Sequence, residues 1–348
     1  MKDKETATKN IFSIKNLMGV RSISDGLFIS FVFIRFLATC LITNTHYDSV
    51  YPLSFMACGG LMGDVLFFLV SGFVLAKNTE EGFFKWWRKR LLRIYPTIIF
   101  ITVLFQITGY FKIYFSWRHF ITAYFVPVRF MFVIAIVLLY IPFYFVNKIK
   151  NKKKYLAILG GVIVLWLAVY VLAVDKSEYQ MNKTGHYMIF FLYFTTMMTG
   201  AYFRKFVDRK YEKKQVYIGM TSAVVLSAVY LVLNNVIRGN ADYGNIQIIV
   251  PVILYAAAAM LGYSFYKLED RLKSLPRWLL SAVNFISTFT LEIYVVQHPI
   301  IKAFSNIIFP LNWILITLSI LISAIVLKII INFLVNGTKL LLAKIKSM

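Results

Sequence analysis

The sequence predicts an all-α polytopic membrane protein with about ten transmembrane helices and both termini in the cytoplasm. Three observations carry that expectation. The chain is 59% hydrophobic and only 15% charged, against about 45–50% and about 25% in soluble globular domains, and its mean hydropathy is +0.71. Apolar runs close to the roughly 20 residues that cross a bilayer recur along all 348 residues. The lysines and arginines gather in short clusters between those runs, on alternate connections, as the positive-inside rule requires. Together these features exclude an ordinary soluble enzyme, an intrinsically disordered chain and a secreted disulfide scaffold. The net charge of +23 reads as membrane orientation; no nucleic-acid partner is expected.

Taken in order, residues 1–24 form a polar, basic tail with no apolar core before a small-residue cleavage site, so no cleavable signal peptide is expected. Residues 25–335 form the membrane domain, with helices expected at 27–44, 60–76, 96–111, 128–146, 155–174, 185–202, 215–234, 246–266, 280–301 and 310–334. Residues 336–348 form the second cytoplasmic tail. The two tails and the connections 77–95, 147–154, 203–214 and 267–279 hold 29 of the 38 Lys and Arg residues. The opposite connections hold six, and Arg35, Arg129 and Lys328 fall inside spans. A missed or invented helix would break this alternation midway. No connection is long enough for a soluble catalytic domain, and no internal or inverted repeat is legible. Cys40 and Cys58 are too few for a disulfide framework, and Cys40, inside a span, reads as a packing residue.

Ionisable groups inside apolar spans are costly and become functional candidates. Arg35, near the middle of the first span, must face the bundle interior and find an anion, a water-lined cavity or a structural ion-pair partner. His46 follows eleven residues later. On an unbroken helix the two share a face, about 16 Å apart along the axis. Asp64, near the outer end of the second span, could orient the His46 imidazole or pair with Arg35; the residues alone leave both readings open. Glu292, Tyr294 and His298 lie on the ninth span, with Tyr294 and His298 four apart on one face. Arg129 opens the fourth span on the outer side. His46, Asp64, Arg129 and His298 are therefore expected to converge near the outer half of the bilayer. On the inner side, Arg90 and Arg93 share a helical face in Trp86-Trp87-Arg88-Lys89-Arg90-Leu91-Leu92-Arg93-Ile94-Tyr95-Pro96. They read either as a topology-setting basic segment with an aromatic anchor or as a phosphate clamp.

These segments resemble, in order and spacing, the acyltransferase 3 family of integral membrane O-acyltransferases. The resemblance rests on Arg35, ten residues and His46; on the run GGLMGDVLFFLVSGFVLA at 59–76; on Arg90-x-x-Arg93-x-Tyr95-Pro96; on Phe130 to Pro142, with Phe130 where the family more often has Trp; and on Leu291 to Pro299. The resemblance implies an enzyme of the plasma membrane. It would move an acyl group, acetyl the expected one, from cytoplasmic acyl-CoA to a hydroxyl of a cell-surface or lipid-linked polysaccharide. It implies catalytic roles for His46, Arg35 and Asp64, with His46 as general base or as an acyl-histidine nucleophile. Arg90 and Arg93 would hold the CoA phosphates. Arg35 would stabilise the oxyanion or bind the donor arm. Arg129, Glu292, Tyr294 and His298 are expected to contact the acceptor. No metal and no permanently bound cofactor are expected; acetyl-CoA enters as donor substrate, and membrane lipids surround the domain. The rival reading is an exporter of a glycan intermediate, since a midplane Arg suits a transport path too.

Overall fold

A computed structural model describes residues 12–20, 22, 26–77, 80–181, 186–238 and 240–346, and every regular element among them is helical. The helices are α1 (Ile14–Met18), α2 (Ile29–Asn44), α3 (Gly60–Leu75), α4 (Phe83–Ile107), α5 (Trp117–Phe120), α6 (Met131–Asn147), α7 (Lys152–Ala173), α8 (Tyr187–Phe206), α9 (Lys213–Arg238), α10 (Ile249–Lys267), α11 (Glu269–Lys273), α12 (Arg277–Thr288), α13 (Thr290–Phe304) and α14 (Leu311–Lys346). A single π turn, Ile121–Phe125, follows α5. Each of the ten stretches expected from the sequence is helical. Six among the described residues are long and apolar enough to cross a membrane: Ser54–Leu75, α4, α7, α9, α10 and Leu311–Ile345. They become seven if α12 and α13 count as one broken span, and α2 and α6 are shorter apolar helices. The outward faces of α7 and α9 expose Val164, Leu165, Leu172, Val224 and Val232, as side chains that meet lipid do. The chain is an integral membrane protein.

Three larger differences from the sequence expectation stand out. The third helix begins thirteen residues earlier, at Phe83, so the basic segment and the span form one helix that runs through Pro96. The last helix continues to Lys346, so most of the expected C-terminal tail is helical. The ninth helix is two helices, bent by 67°. Its break has a local cause. Ser287 and Thr288 hydroxyls donate to the Asn284 carbonyl, and Thr290 donates to the Ser287 carbonyl. Side chains that bond back to carbonyls of the preceding turn loosen and bend a helix. By contrast, α2 ends at Asn44, where the sequence places its end, so the regular helix does not reach His46.

The bundle is organised around α3, which packs against α2, α8 and α10. Small residues allow this approach, because lipid supplies no hydrophobic drive between helices and tight packing must replace it. A Cβ added at Gly72 would lie 1.8 Å from the Met197 carbonyl oxygen, and one at Gly63 would lie 2.8 Å from that of Ala38. The N-terminus of α2 is finished from a distance. The fully buried Glu269 carboxylate accepts from the backbone N–H of Ile29 (3.0 Å) and Ser30 (2.8 Å) and from the Ser30 hydroxyl (2.6 Å). That satisfies donors the helix cannot pair itself and places a negative charge at the positive end of its dipole. Lys273 neutralises the carboxylate from 3.2 Å. α1 docks on the final helix, where Asn332 donates to the Leu17 carbonyl at 2.6 Å.

Candidate active site

A cavity of about 730 Å³ opens between α2, α3, α6, α8, α9 and α13. Its walls include His46, Asp64, Arg129 and His298, the four residues expected from the sequence to converge, together with Tyr294. They come together because α3 holds α2 on one side and α8 on the other, while α13 packs along α2. The His46 and His298 rings meet edge to face with centroids 4.4 Å apart.

His46 owes its position to a pinned loop. Asn44, the last residue of α2, donates from Nδ2 to the carbonyls of Met56 (2.8 Å) and Cys58 (3.0 Å), and accepts the Tyr51 hydroxyl on Oδ1 (2.6 Å). Asn312 of α14 donates to the Val50 carbonyl at 3.1 Å. These bonds fold the chain back directly after the helix, and the His46 N–H closes on the Thr43 carbonyl at 3.1 Å. His46 thus sits on a tight turn at the outer end of α2 rather than on a further helical turn. Burial lowers its pKa to about 4, His298 pushes the same way, and Asp48 opposes them. A neutral imidazole is a proton acceptor across the physiological range.

The sequence offers Asp64 two partners, His46 and Arg35. The structure gives it Tyr193, whose hydroxyl donates to Oδ2 at 2.8 Å. Tyr193 is buried and stacks on Phe68 with ring centroids 4.2 Å apart. Arg129 precedes α6, with its guanidinium 4.1 Å from the centre of the Phe111 ring. Phe130, where the family pattern favours Trp, is buried with its ring 6.3 Å from that of Tyr294.

Arg35, Arg90, Arg93 and Glu292 do not line this cavity. Arg35 lies nine residues before the last residue of α2. The buried hydroxyl of Tyr140 on α6 is within electrostatic reach of Arg93, Arg90 and Arg35 together. Three guanidiniums from α2 and α4 therefore surround one tyrosine of α6. Arg90 lies 5.2 Å from the Trp86 ring centre. The Arg90 Nε and the indole N–H groups of Trp86 and Trp87 are buried without a hydrogen-bond partner among the described residues. Unpaired buried donors cost about 1–3 kcal/mol each, and an anion would satisfy them. Glu292 is buried instead against α14, where Lys328 pairs with its Oε1 at 2.9 Å. Lys328, a charge inside a span in the sequence, thereby finds its counter-ion.

Tyr193, Tyr230, Asn234 and Arg238 also line the cavity and escape the sequence reading. Tyr193 and Tyr230 are two among 22 tyrosines, and helical position alone does not say which face a neighbour will cover. Arg238 ends α9 in a connection counted only for its charge.

The model of the acyltransferase domain of the acyltransferase 3 family matches residues 28–333. The chain belongs to this family. The match takes in α2 through most of α14, so the cavity, the arginine cluster and the capping Glu269 all fall inside it. No curated protein and no solved structure matches the chain. Membership and the helical architecture make the protein a membrane acyltransferase.

Proposed function

We propose that this acyltransferase moves an acetyl group from cytoplasmic acetyl-CoA to a hydroxyl of a cell-surface or lipid-linked polysaccharide, in the plasma membrane, with ten spans and both termini in the cytoplasm. The observation that carries the reading is the separation of two polar sites along α2. A cavity with two facing imidazoles lies at its C-terminal end, and Arg35, near its middle, acts on Tyr140 together with Arg90 and Arg93 of α4, where the Arg90 Nε has no hydrogen-bond partner among the described residues. The first suits proton transfer at a sugar hydroxyl, and the second suits phosphates of a nucleotide-bearing donor.

In this reading Arg90 and Arg93 hold the CoA phosphates and Arg35 steadies the donor arm or the oxyanion. His46 takes the proton from the acceptor hydroxyl as its oxygen attacks the thioester carbonyl. The C–S bond then breaks, and the imidazolium returns the proton to the CoA thiolate. Tyr193 holds Asp64 at the cavity wall, and Asp48 favours the imidazolium that forms. Arg129, Tyr294 and His298 contact the acceptor. Glu292, paired with Lys328, serves as a support of α13 rather than as an acceptor contact.

The docking of α1 beside Asn332 and Phe333, at the inner end of the last span, supports placing both termini on one side. The test uses purified protein in vesicles, supplied with acetyl-CoA and a polysaccharide or lipid-linked acceptor. CoA release with a matching acetyl mass gain on the acceptor is expected. Acceptor movement across the vesicle without CoA release would instead make the protein an exporter.

A further inference from the structure

Between the levels of Arg35 and His46 lies a second, smaller pocket. Thr39, Ile42, Phe67, Phe132, Leu291 and Tyr294 are among its walls. Ile42, Phe132 and Tyr294 also line the large cavity, so the two spaces adjoin across these side chains. Thr39 and Thr290 bond each other at 2.9 Å at its inner end, and each hydroxyl also has a backbone carbonyl partner, of Arg35 and Ser287 respectively. The two hydroxyl hydrogens are taken up within this network, so the pair offers an incoming group acceptor lone pairs but no free donor. Phe67 stands edge-on to Phe132, with ring centroids 4.8 Å apart, and Phe132 lies 5.6 Å from Tyr294. These rings form one wall.

Size decides what fits. The space open to the centres of water-sized spheres is about 30 Å³, two to three times the roughly 10–15 Å³ that one water needs. A chain end of two or three heavy atoms fills it. A longer chain would overpack the aromatic wall, and a terminal carboxylate would be stripped of water against apolar walls.

We propose that this pocket receives the acyl chain of the donor and restricts transfer to acetyl and propionyl groups, excluding long-chain and succinyl donors. The proposal rests on the acyl-CoA reading above and adds the residues that measure chain length. The acyl methyl enters between Phe67, Leu291 and Ile42, and the thioester carbonyl lies at the shared boundary, toward His46.

The experiment follows CoA release by the purified protein, with acceptor, from acetyl-, propionyl-, butanoyl-, hexanoyl- and succinyl-CoA. Wild type should favour acetyl over hexanoyl and over succinyl by at least about tenfold. Phe67→Ala and Leu291→Ala should each raise the butanoyl-to-acetyl ratio by about tenfold or more. Ile42→Phe should lower the propionyl-to-acetyl ratio. Each ratio is measured within one preparation, so partial loss of folded protein cancels, and Phe67→Leu gives a milder widening where Phe67→Ala folds poorly. Wild type using hexanoyl-CoA as fast as acetyl-CoA, or widened variants that keep the wild-type ratios, would overturn the pocket while leaving the acyl-CoA reading intact. Absence of CoA release from every donor would remove that reading and the pocket's role with it.

Discussion

The outer cavity and the inner arginine cluster share α2 but differ in what surrounds their polar groups. The cavity is roomy, at about 730 Å³, and its ionisable groups contact aromatic or hydroxyl neighbours: His46 meets His298, Asp64 takes the Tyr193 hydroxyl, and Arg129 lies against Phe111. The cluster is crowded with positive charge, and the Arg90 Nε and the indole N–H groups of Trp86 and Trp87 beside it lack hydrogen-bond partners among the described residues. A site whose groups already have neighbours is organised to hold a neutral acceptor and shift one proton. A site with unsatisfied donors and like charges is organised to wait for an anion. Under the proposed function, this difference is what separates proton transfer at the cavity from donor capture at the arginines.

The largest expected effect tests the outer end. His46→Ala should lower acyl transfer by about 10²–10⁴-fold while donor binding stays close to wild type, because Arg35, Arg90 and Arg93 do not line the cavity that holds His46. Rate and acyl-CoA affinity measured on the same preparation check this. A parallel loss of affinity would merge the two ends into one site.

The converse substitution addresses the inner end. Arg90→Ala should weaken acyl-CoA binding by roughly 10- to 150-fold, the equivalent of about 1.5–3 kcal/mol for a hydrogen bond to a charged group. Arg90→Lys should recover part of it, since an ammonium keeps the charge but not the fork. Arg93 is exposed, so its replacement should cost less. Unchanged affinity in a folded Arg90/Arg93 double variant would return both residues to setting topology.

Acid sharpens the comparison. A base is lost as pH falls through its pKa, and that of His46 lies at about 4. The acidic limb of activity should therefore fall near pH 4 instead of near 6.5. His298 contributes to that lowering, so His298→Gln should move the limb upward. A wild-type limb near 6.5 would mean that another group governs the acidic side.

The smallest effect concerns the helix that joins the two ends. Glu269→Ala leaves the buried N–H groups of Ile29 and Ser30 without their acceptor, a loss of about 1–3 kcal/mol for each donor. Thermal unfolding in detergent should show a clear decrease, with CoA release per folded protein falling less than in His46→Ala.

Much of this molecule is legible in one dimension. Apolar length places ten helical stretches, since backbone groups in hydrocarbon must pair within their own segment. Arg35, His46, Asp64, Arg90, Arg93, Arg129, Tyr294 and His298 stand out because polar groups are rare and costly in such runs. Side-chain pairing is not legible in the same way. Asp64 takes Tyr193 from a helix 129 positions along the chain, and Glu292 turns to Lys328, 36 positions on. Glu269, in a basic connection, caps a helix 240 positions earlier. The bend at Phe289 depends on Ser287, Thr288 and Thr290 bonding carbonyls that an unbroken helix would have used. Composition, span positions and the candidate polar residues were thus determined by the sequence itself, because the cost of burying a polar group in lipid depends on that residue and its immediate neighbours. Partners, the broken ninth span and the small pocket were decided by tertiary structure, because each depends on which helix faces reach van der Waals contact.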